Sequence, residues 1–341
     1  MPVPRVSIVI VTWNGRGLLE RFLPSVLATD YPAVEVVVAD NASTDGTADW
    51  LTATHPAVRV VRHPDNWLFA RGNNAAVPHT TGDVLCFLNN DVEVPPSWLS
   101  PLVDALAGEV VAVQPKLLQH TQRDRFEYAG ASGGFLDAYG YPFTRGRVFD
   151  TLEPDRGQYD DARDIFWATG AALAVRRDAF LAAGGFDESF GMHMEEIDLC
   201  WRLQRAGGRI RVEPQSEVYH LGGASLPQGN PRKLYLNIRN SLLMLAKNLP
   251  HPERQRVLRV RRVLDAVAAL RARVAGRPDE ADAIRRGAAD ARERIQTLAV
   301  PTPGTTVLPP YRGSVVADYF LRGRRRFSEL PRRRFRDLPP T

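Results

Sequence analysis

The chain has 341 residues, of which 44% are hydrophobic, and its formal net charge is +5 at pH 7. This length and apolar content fit one large globular domain with an extension. The apolar runs are too short for a transmembrane helix, and the N-terminus lacks the basic-then-apolar order of a signal peptide. We therefore expect a cytoplasmic protein.

The charge is divided unevenly along the chain. From residue 251 onward, 21 Arg and no Lys stand against 10 acidic residues, a balance of +11, whereas residues 1–250 carry a balance of −6. Any attraction to a polyanion therefore belongs to the C-terminal part. Because the main body presents no basic groove, we expect no nucleic-acid partner. Cys86 and Cys200 lie in apolar surroundings and are typical of core thiols.

Apolar runs and helical spacings alternate through the first part of the chain. Strands are predicted at 6–11, 34–39, 58–61 and 84–88, and helices at 18–27 and 47–54. Strands and helices joined by short links favour an α/β fold, with a Rossmann-like, mostly parallel sheet flanked by helices.

Polar residues follow three of these strands. They are Thr12 and Asn14, then Asp40 and Asn41, and finally Asn89, Asn90 and Asp91. Ligands of open α/β sheets bind beyond the carboxyl ends of the strands, and Mg²⁺ and Mn²⁺ prefer oxygen ligands such as carboxylates. We therefore expect a ligand site here with Asp91 near a metal. The alternatives are a helix cap for Asp91 and an Asx turn for Asp40.

The turn after the first strand offers a second interpretation. Gly15 and Gly17 stand where a dinucleotide-binding turn has its first glycines, and Asp40 follows at the distance of a ribose-binding acid. The third glycine position is Glu20, which weakens that interpretation. Further along, Arg71 and Asn73 lie in a helix-forming run, where Arg is suited to a phosphate and Asn to a base edge. A surface Arg and a helix-internal Asn are the ordinary alternatives.

Several blocks in order resemble family-2 glycosyltransferases of the GT-A fold, especially the bacterial rhamnosyltransferase-like branch. The blocks lie at 9–14, 40–46, 66–74, 88–91, 168–171, 184–190, 195–202 and 218–225. The resemblance covers about residues 5–250. It implies a nucleotide-sugar donor, which is a dTDP-sugar or a UDP-sugar, a divalent metal on its diphosphate, and inversion at the anomeric carbon.

The resemblance also implies roles for individual residues. Asp40 would contact the nucleoside, and Asp91 would be the metal-binding acid of the family's Asp-x-Asp, whose first acid is here Asn89. His220 would complete the metal site, and its imidazole favours Mn²⁺ over Mg²⁺. Donor contacts are expected from nine polar residues: Thr12, Asn14, Asp40, Asn41, Arg71, Asn73, Asn89, Asn90 and Asp91.

Three acids, Glu195, Glu196 and Asp198, crowd the start of a predicted helix. Acids stabilise a helix N-terminus, but three so close together raise one another's pKa, which suits a general base. Alignment with the family gives Glu196 the position of the base. Asp198 is the second choice, and Glu195 is expected to orient the loop.

The remaining predictions concern the acceptor and the tail. A mobile loop is expected at 130–141. The segment 132–169 is expected to cover the donor and to contribute Trp167 to the sugar site, with Gly170 in the acceptor block. We expect a catalytic domain at 1–230, with its nucleotide-sugar half at about 1–115 and its acceptor half at 116–230. A helical extension would follow at 231–300, with apolar residues such as Val257, Val267 and Val274 opposite its arginines, and then a Pro/Arg-rich tail at 301–341.

The tail alternates Tyr and Phe with Arg, which is typical of a contact with an anionic membrane surface, or else of a solvated basic arm. The sequence thus predicts an inverting glycosyltransferase, peripheral on the inner face of the cell membrane. It would move a hexose or deoxyhexose, L-rhamnose being one candidate, onto a glycan or lipid-linked acceptor of the cell envelope. The alternatives are an NAD-dependent oxidoreductase and a catalytically degenerate sugar-nucleotide-binding protein.

Overall fold

A computed structural model describes residues 3–222, 230–298 and 305–336 of the chain. The last three residues of the predicted block at 218–225 lie outside these ranges, as do residues 301–304 and 337–341 of the predicted tail. The strands are β1 Val6–Thr12, β2 Val34–Asp40, β3 Val58–Arg62, β4 Val84–Leu88, β5 Val92–Glu93, β6 Val110–Gln119, β7 Gly134–Leu136, β8 Pro142–Thr144, β9 Arg147–Val148, β10 Thr151–Leu152, β11 Arg163–Asp164, β12 Ala172–Arg176 and β13 Arg209–His220. The α-helices are α1 Arg16–Leu27, α2 Thr47–Thr54, α3 Leu68–Ala76, α4 Leu99–Ala105, α5 Arg177–Ala182, α6 Glu195–Arg205, α7 Pro231–Asn248, α8 His251–Val274, α9 Pro278–Thr297 and α10 Val315–Phe320.

The main sheet is mixed and mostly parallel, in the order β11-β13-β6-β12-β4-β1-β2-β3, with β5 paired to β13. Strands β4, β1, β2 and β3 are parallel neighbours, and Thr12 at the end of β1 pairs with Asp40 at the end of β2. Strand β12 runs antiparallel between β4 and β6. The carboxyl ends of β1, β2, β4 and β13 and the start of β12 therefore meet at one edge of the sheet.

The unbroken apolar runs explain the central strands. Every residue of β4 is buried, as are all but one of β1. A strand buried on both faces does not alternate polar and apolar residues, which is why these segments were recognisable in the sequence. Helix α1 covers one face of the sheet through Leu19, Phe22, Leu23 and Val26.

The segment expected to cover the donor, which includes most of the predicted mobile loop, forms a second, four-stranded sheet in the order β10-β9-β8-β7. Strands β7 and β8 form a hairpin, and its Phe135 and Phe143 are buried in the main core. Lys116 of β6 is itself buried and donates to Asp155 and Asp160, each at 2.8 Å, which fixes the following turn. The segment is therefore integrated into the fold.

The helical extension is packed closely against the preceding region. Asn240 of α7 places its amide nitrogen 2.7–3.0 Å from the carbonyl oxygens of Phe190, Met192 and His193. These contacts cross the predicted domain boundary at residue 230. The loop before α6 is therefore held by α7.

The C-terminal tail folds back onto the body of the protein. Tyr311, Phe327 and Phe335 are buried against the phenyl rings of the hairpin formed by β7 and β8. Asp318, fully buried, binds Arg324 at 2.7 Å and also Arg322 and Arg334. Three of the aromatic residues expected to contact a membrane are therefore in the core, and the expectation that they face a bilayer is wrong.

The predicted apolar face of α8 is also only partly correct. Val257 is buried as expected, but Val267 and Val274 are 58% and 81% exposed. The buried face instead includes Arg261, Asp265, Ala269 and Ala272. In the part of the chain that the structure describes, no helix is long and apolar enough to cross a membrane.

Candidate active site

The sheet edge brings residues from distant parts of the sequence together. The Asn89 amide donates to the Ala171 carbonyl at 3.0 Å, where the end of β4 meets the start of β12. Next to Ala171, a Cβ placed on Gly170 would lie 3.7 Å from the Cβ of Glu196. Asp91, two residues after Asn89, and Glu196, beside Gly170, are thus placed at the same edge of the sheet.

Asp91 and His220 form a buried pair at this edge. Asp91 Oδ1 lies 3.0 Å from His220 Nε2, and strand β5 pairs with β13 so that Val92 faces His220. The side-chain nitrogen of Asn89, which replaces the first acid of the Asp-x-Asp pattern, is 3.4 Å from the same His220 nitrogen. The structure therefore assembles three residues that the sequence assigned to one metal-binding region.

A second carboxylate, which the sequence analysis missed, lies on the other side of the imidazole. Glu127 Oε1 is 3.4 Å from His220 Nδ1, an ion-pair contact between two buried side chains. Burial acts to lower the pKa of His220, but the carboxylates of Glu127 and Asp91 outweigh it and raise the pKa to about 10. The site therefore has a strong preference for positive charge. Gly222 lies close to this carboxylate, since a Cβ added there would be 3.0 Å from Glu127 Oε1.

These residues fit a divalent ion that also binds a ligand. Two atoms that bind one ion at about 2.1 Å and at right angles lie about 3.0 Å apart, the separation seen between Asp91 Oδ1 and His220 Nε2. A carboxylate on the far ring nitrogen of a metal-binding histidine orients the ring, as Glu127 does here. Among the described residues, no three His, Cys, Asp or Glu groups are arranged to hold a metal by themselves. Diphosphate and water oxygens would complete such a site.

The loop after β1 packs tightly against the end of β4. Asn90 donates to Thr12 Oγ1 at 2.9 Å, so both side chains are partly committed to holding the strand ends together. A Cβ on Gly15 would lie 2.1 Å from Thr12 Oγ1 and 2.6 Å from Asn90 Nδ2. This close approach requires glycine and explains Gly15 without a dinucleotide. Glu20, at the third position of that pattern, is exposed and pairs with Arg16.

The ends of β1 and β2 form the proposed nucleoside side. Asn14, exposed and with φ of 49°, accepts from the Thr44 amide at 2.7 Å and so joins the two loops. Asp40 is buried and accepts from the Ser43 amide through Oδ2, while its Oδ1 has no partner. Asn41 donates to the Leu68 carbonyl, and its side-chain oxygen is also buried without a partner. Two buried acceptor oxygens at these strand ends therefore have no hydrogen-bond partner within the protein.

Helix α3 supplies the other two predicted donor residues. Arg71 is exposed, with its guanidinium 4.1 Å from the Trp67 ring centroid and 3.8 Å from Glu188. Asn73 is buried and donates to the Phe69 carbonyl one turn earlier. Arg71 is available to a phosphate, whereas the Asn73 amide group is used within its own helix.

Glu195 and Glu196 open helix α6 after Met194, which has a left-handed backbone conformation. Burial raises the pKa of Glu196 to about 7, although backbone amides of residues 194, 196 and 197 act to lower it. Burial, together with the nearby Glu196 charge, raises the pKa of Glu195 well above its ordinary value. Each carboxyl group has one buried oxygen without a hydrogen-bond partner. Glu196, which is only partly buried, has the environment of a general base.

Asp198, the second choice for the base, has a different role. It is fully buried and binds Arg202 at 2.7 Å, Lys247 at 2.8 Å and Asn248 at 2.8 Å. Both carboxylate oxygens are thereby occupied. Asp198 connects α6 to α7, and the expectation that it is a candidate base is not supported by this geometry.

The two acceptor-side predictions have different outcomes. Gly170 lies beside Glu196, and a Cβ there would approach the Phe69 ring to 3.0 Å. Trp167 is only 4% exposed and donates its indole N–H to the Phe135 carbonyl at 3.0 Å. Its ring fills the core above Gly134, so the prediction that it contacts a sugar is wrong.

Comparison with known proteins identifies the family. Residues 7–180 match the family described as Glycosyl transferase family 2. The O-antigen biosynthesis protein RfbC of Myxococcus xanthus is 34% identical over 229 residues, which are 65% of this chain but only 18% of that protein. An N-acetylglucosaminyl-diphospho-decaprenol L-rhamnosyltransferase of Mycobacterium tuberculosis (strain ATCC 25618 / H37Rv) is 32% identical over 240 residues, covering 63% of this chain and 75% of the relative.

Solved structures share the fold. TarS 1–349 of S. aureus, in complex with UDP-GlcNAc, has a TM-score of 0.55 at 16% identity and covers 86% of this chain and 83% of its own. The mannosyltransferase PcManGT of Pyrobaculum calidifontis, in complex with GDP-Man and Mn²⁺, has a TM-score of 0.54 at 18% identity, with coverages of 85% and 87%. The expected GT-A fold is confirmed, and the dinucleotide-binding alternative is not favoured. The chain belongs to glycosyl transferase family 2.

Proposed function

We propose that this protein is an inverting glycosyltransferase that moves a hexose or deoxyhexose from a nucleotide sugar onto a glycan or lipid-linked acceptor of the cell envelope. The first donor to test is dTDP-L-rhamnose, because one relative is named an L-rhamnosyltransferase. The observation that carries the proposal is Glu196, a carboxyl group with a raised pKa and a free oxygen, at the same sheet edge as Asp91.

The residues at this edge of the sheet divide into two groups with complementary tasks. Asp40 and Asn41 offer acceptor atoms to the nucleoside, and Arg71 offers a guanidinium to the diphosphate. Asp91 and His220 would hold Mn²⁺ or Mg²⁺, with Glu127 fixing the histidine ring. When bound, the ion supplies positive charge to the leaving diphosphate.

Glu196 acts on the acceptor. Its carboxylate takes the proton of the acceptor hydroxyl while that oxygen attacks the anomeric carbon, and the bond from this carbon to the diphosphate breaks on the opposite face. Inversion follows from a single displacement. Gly170, which has no side chain, allows the Phe69 ring and Glu196 to pack close to the start of β12. General base catalysis of this kind contributes about 10²–10⁴-fold.

The test uses the purified chain and a panel of nucleotide sugars: dTDP-L-rhamnose, UDP-glucose, UDP-GlcNAc and GDP-mannose. We expect at least one to raise the melting temperature with Mn²⁺ present and to have little effect after chelation, since a ligand of the native state stabilises it. NADH is the comparison for the oxidoreductase alternative. Stabilisation by NADH alone would overturn the proposal.

Turnover is tested with Glu196→Gln, which keeps the shape of the side chain but cannot accept a proton. We expect release of the nucleoside diphosphate to fall about 10²–10⁴-fold while donor binding is retained. Glu293→Gln, on the exposed face of α9, is the matched control and should behave like the unmodified chain. Equal turnover in Glu196→Gln and Glu293→Gln would show that Glu196 is not the base, and donor binding without turnover in the unmodified chain would favour the catalytically degenerate alternative.

A further inference from the structure

Helix α8 carries an exposed apolar stripe that the fold itself does not use. Val263, Val267, Leu270 and Val274 are 63%, 58%, 63% and 81% exposed. Their spacing of four, three and four residues places them on one face of the helix. Single exposed apolar residues are ordinary, but a contiguous patch marks an interaction site.

The opposite face of α8 already makes the contacts that hold the helix in place. Arg261 donates to Ser241 of α7 at 2.9 Å and lies 3.4 Å from Asp265. Ala269 and Ala272 are also buried on this side. The stripe therefore has no partner in the described residues, and substitutions there leave the packed face intact.

Arginines surround the stripe. They are Arg256, Arg259, Arg262, Arg271 and Arg273, and all five are exposed. Arg277, beyond the end of α8, is paired with Glu280. The helix has two acids: Asp265 is buried on the opposite face, and Glu253 is about 15 Å along the axis from Val263. The exposed surface around the stripe is therefore basic and apolar together.

The end of α10 adds to this surface. The Arg271 guanidinium lies 4.8 Å from the Phe320 ring centroid, so the end of α10 is next to α8. Phe320 is 44% exposed and the following Leu321 is 83% exposed. Arg325, close behind, has its guanidinium 5.8 Å from the Tyr319 ring centroid. We call Val263, Val267, Leu270, Val274, Phe320 and Leu321 the apolar patch.

We propose that the apolar patch and its arginines bind the surface of an anionic phospholipid bilayer, with the apolar side chains entering the interface and the guanidinium groups contacting lipid phosphates. A helix with an apolar face and basic flanks lies in the plane of such an interface. Each basic residue near the surface adds to the attraction, which salt screens. The surface shares no residue with the candidate active site, so the proposal does not rest on the proposed function.

Charge argues against a second copy of the chain as the occupant. Two patches packed against each other would bring the arginines of both copies together, and like charges repel. A polyanion such as nucleic acid would use the arginines but not the valines and leucines. A bilayer with anionic head groups matches both parts of the surface.

The first experiment is flotation of the full chain with vesicles of phosphatidylcholine, with and without phosphatidylglycerol. We expect binding only when phosphatidylglycerol is present, and weaker binding at high salt. Val267→Gln/Leu270→Gln should weaken binding by at least about tenfold, because two apolar side chains no longer enter the interface. Arg262→Gln/Arg273→Gln should do the same through lost charge. The matched controls are Leu181→Gln, an exposed leucine on α5, and Arg285→Gln/Arg286→Gln on α9.

A fluorescent label gives a second readout that does not depend on affinity. Cys86 and Cys200 are buried, so a thiol dye in the folded protein reports on an introduced cysteine. We expect the emission of dye on Leu270→Cys to shift to the blue with anionic vesicles, and that on Leu181→Cys to stay unchanged. Equal binding by patch and control variants, or a dimer in sedimentation equilibrium that Val267→Gln/Leu270→Gln dissociates, would overturn the proposal.

Discussion

Glu127 Oε1 lies 3.4 Å from His220 Nδ1, although the two residues are distant in sequence and neither is exposed. Since Asp91 contacts the other ring nitrogen at 3.0 Å, the imidazole is held between two carboxylates. Glu127 also accepts a hydrogen bond from the Ala129 amide, which fixes its own position. The orientation of the His220 ring therefore depends on Glu127 as well as on Asp91.

Glu127→Gln should weaken Mn²⁺ binding about 10–100-fold, the usual effect of removing a carboxylate that orients a metal-binding histidine. The measurement is an electron paramagnetic resonance titration of Mn²⁺ with nucleoside diphosphate present and no acceptor. Gly222→Ala should act in the same direction, because its Cβ would press on Glu127 and its φ of +69° disfavours a side chain. Unchanged Mn²⁺ affinity in both variants would show that Glu127 has no part in the site.

The pH dependence of turnover should report Glu196. Burial raises the pKa of this group to about 7, and the base must be deprotonated to accept a proton. We therefore expect kcat/KM to rise with pH below about 7, with a slope near one on logarithmic axes, and to level off above it. Residual activity of Glu196→Gln should lack this rise, and a rise that persists in Glu196→Gln would assign it to another group.

Glu195→Gln should stabilise the protein at neutral pH. Burial raises the pKa of Glu195 in the folded state. The stability that the buried, protonated side chain contributes is therefore fully present at pH values below the ordinary pKa of 4.5. As the pH increases from there through the raised pKa, the unfolded chain ionises first and stability is lost. Glutamine has no proton to lose. Urea unfolding at pH 4 and pH 8 should therefore show a gain for Glu195→Gln at the higher pH that nearly vanishes at the lower; a gain equal at both would contradict the assignment.

Asp198→Asn should lower the stability by about 3–5 kcal/mol, because it leaves the Lys247 and Arg202 charges without their buried partner. Guanidinium unfolding measures this change. If the protein that remains folded keeps its kcat per active site, Asp198 is a structural residue. Loss of turnover at unchanged stability would instead return Asp198 to the list of candidate bases.

Local patterns were sufficient for the central sheet. The ends of α2 and β4 agree with the predicted ranges, because an unbroken apolar run or a short helical spacing between turn residues specifies its own structure. The residues at the strand ends were also predictable, since parallel strands place their carboxyl ends together. This is why Asp91 was expected at a ligand site from its position after a buried strand, whereas His220 was assigned to the same site only through the family resemblance.

Long-range packing was not predictable in the same way. Glu127 belongs to no local pattern, and its role depends on a loop returning to the end of β13. Trp167 stands next to the acceptor block, yet the small sheet buries its ring. On α8 the valines repeat on both faces, so periodicity alone does not tell which face packs against α7 and α9.

The packing of the C-terminal tail on the β7–β8 hairpin determines whether the chain can be shortened for expression. The composition of the last forty or so residues invites their removal when a shorter version is prepared for expression. Such a truncation would remove Tyr311, Phe327 and Phe335 from their contacts with the rings of Phe135 and Phe143. The apolar surface of the β7–β8 hairpin would then be exposed to solvent. Shortened versions should precipitate, and inactivity in them would say nothing about chemistry.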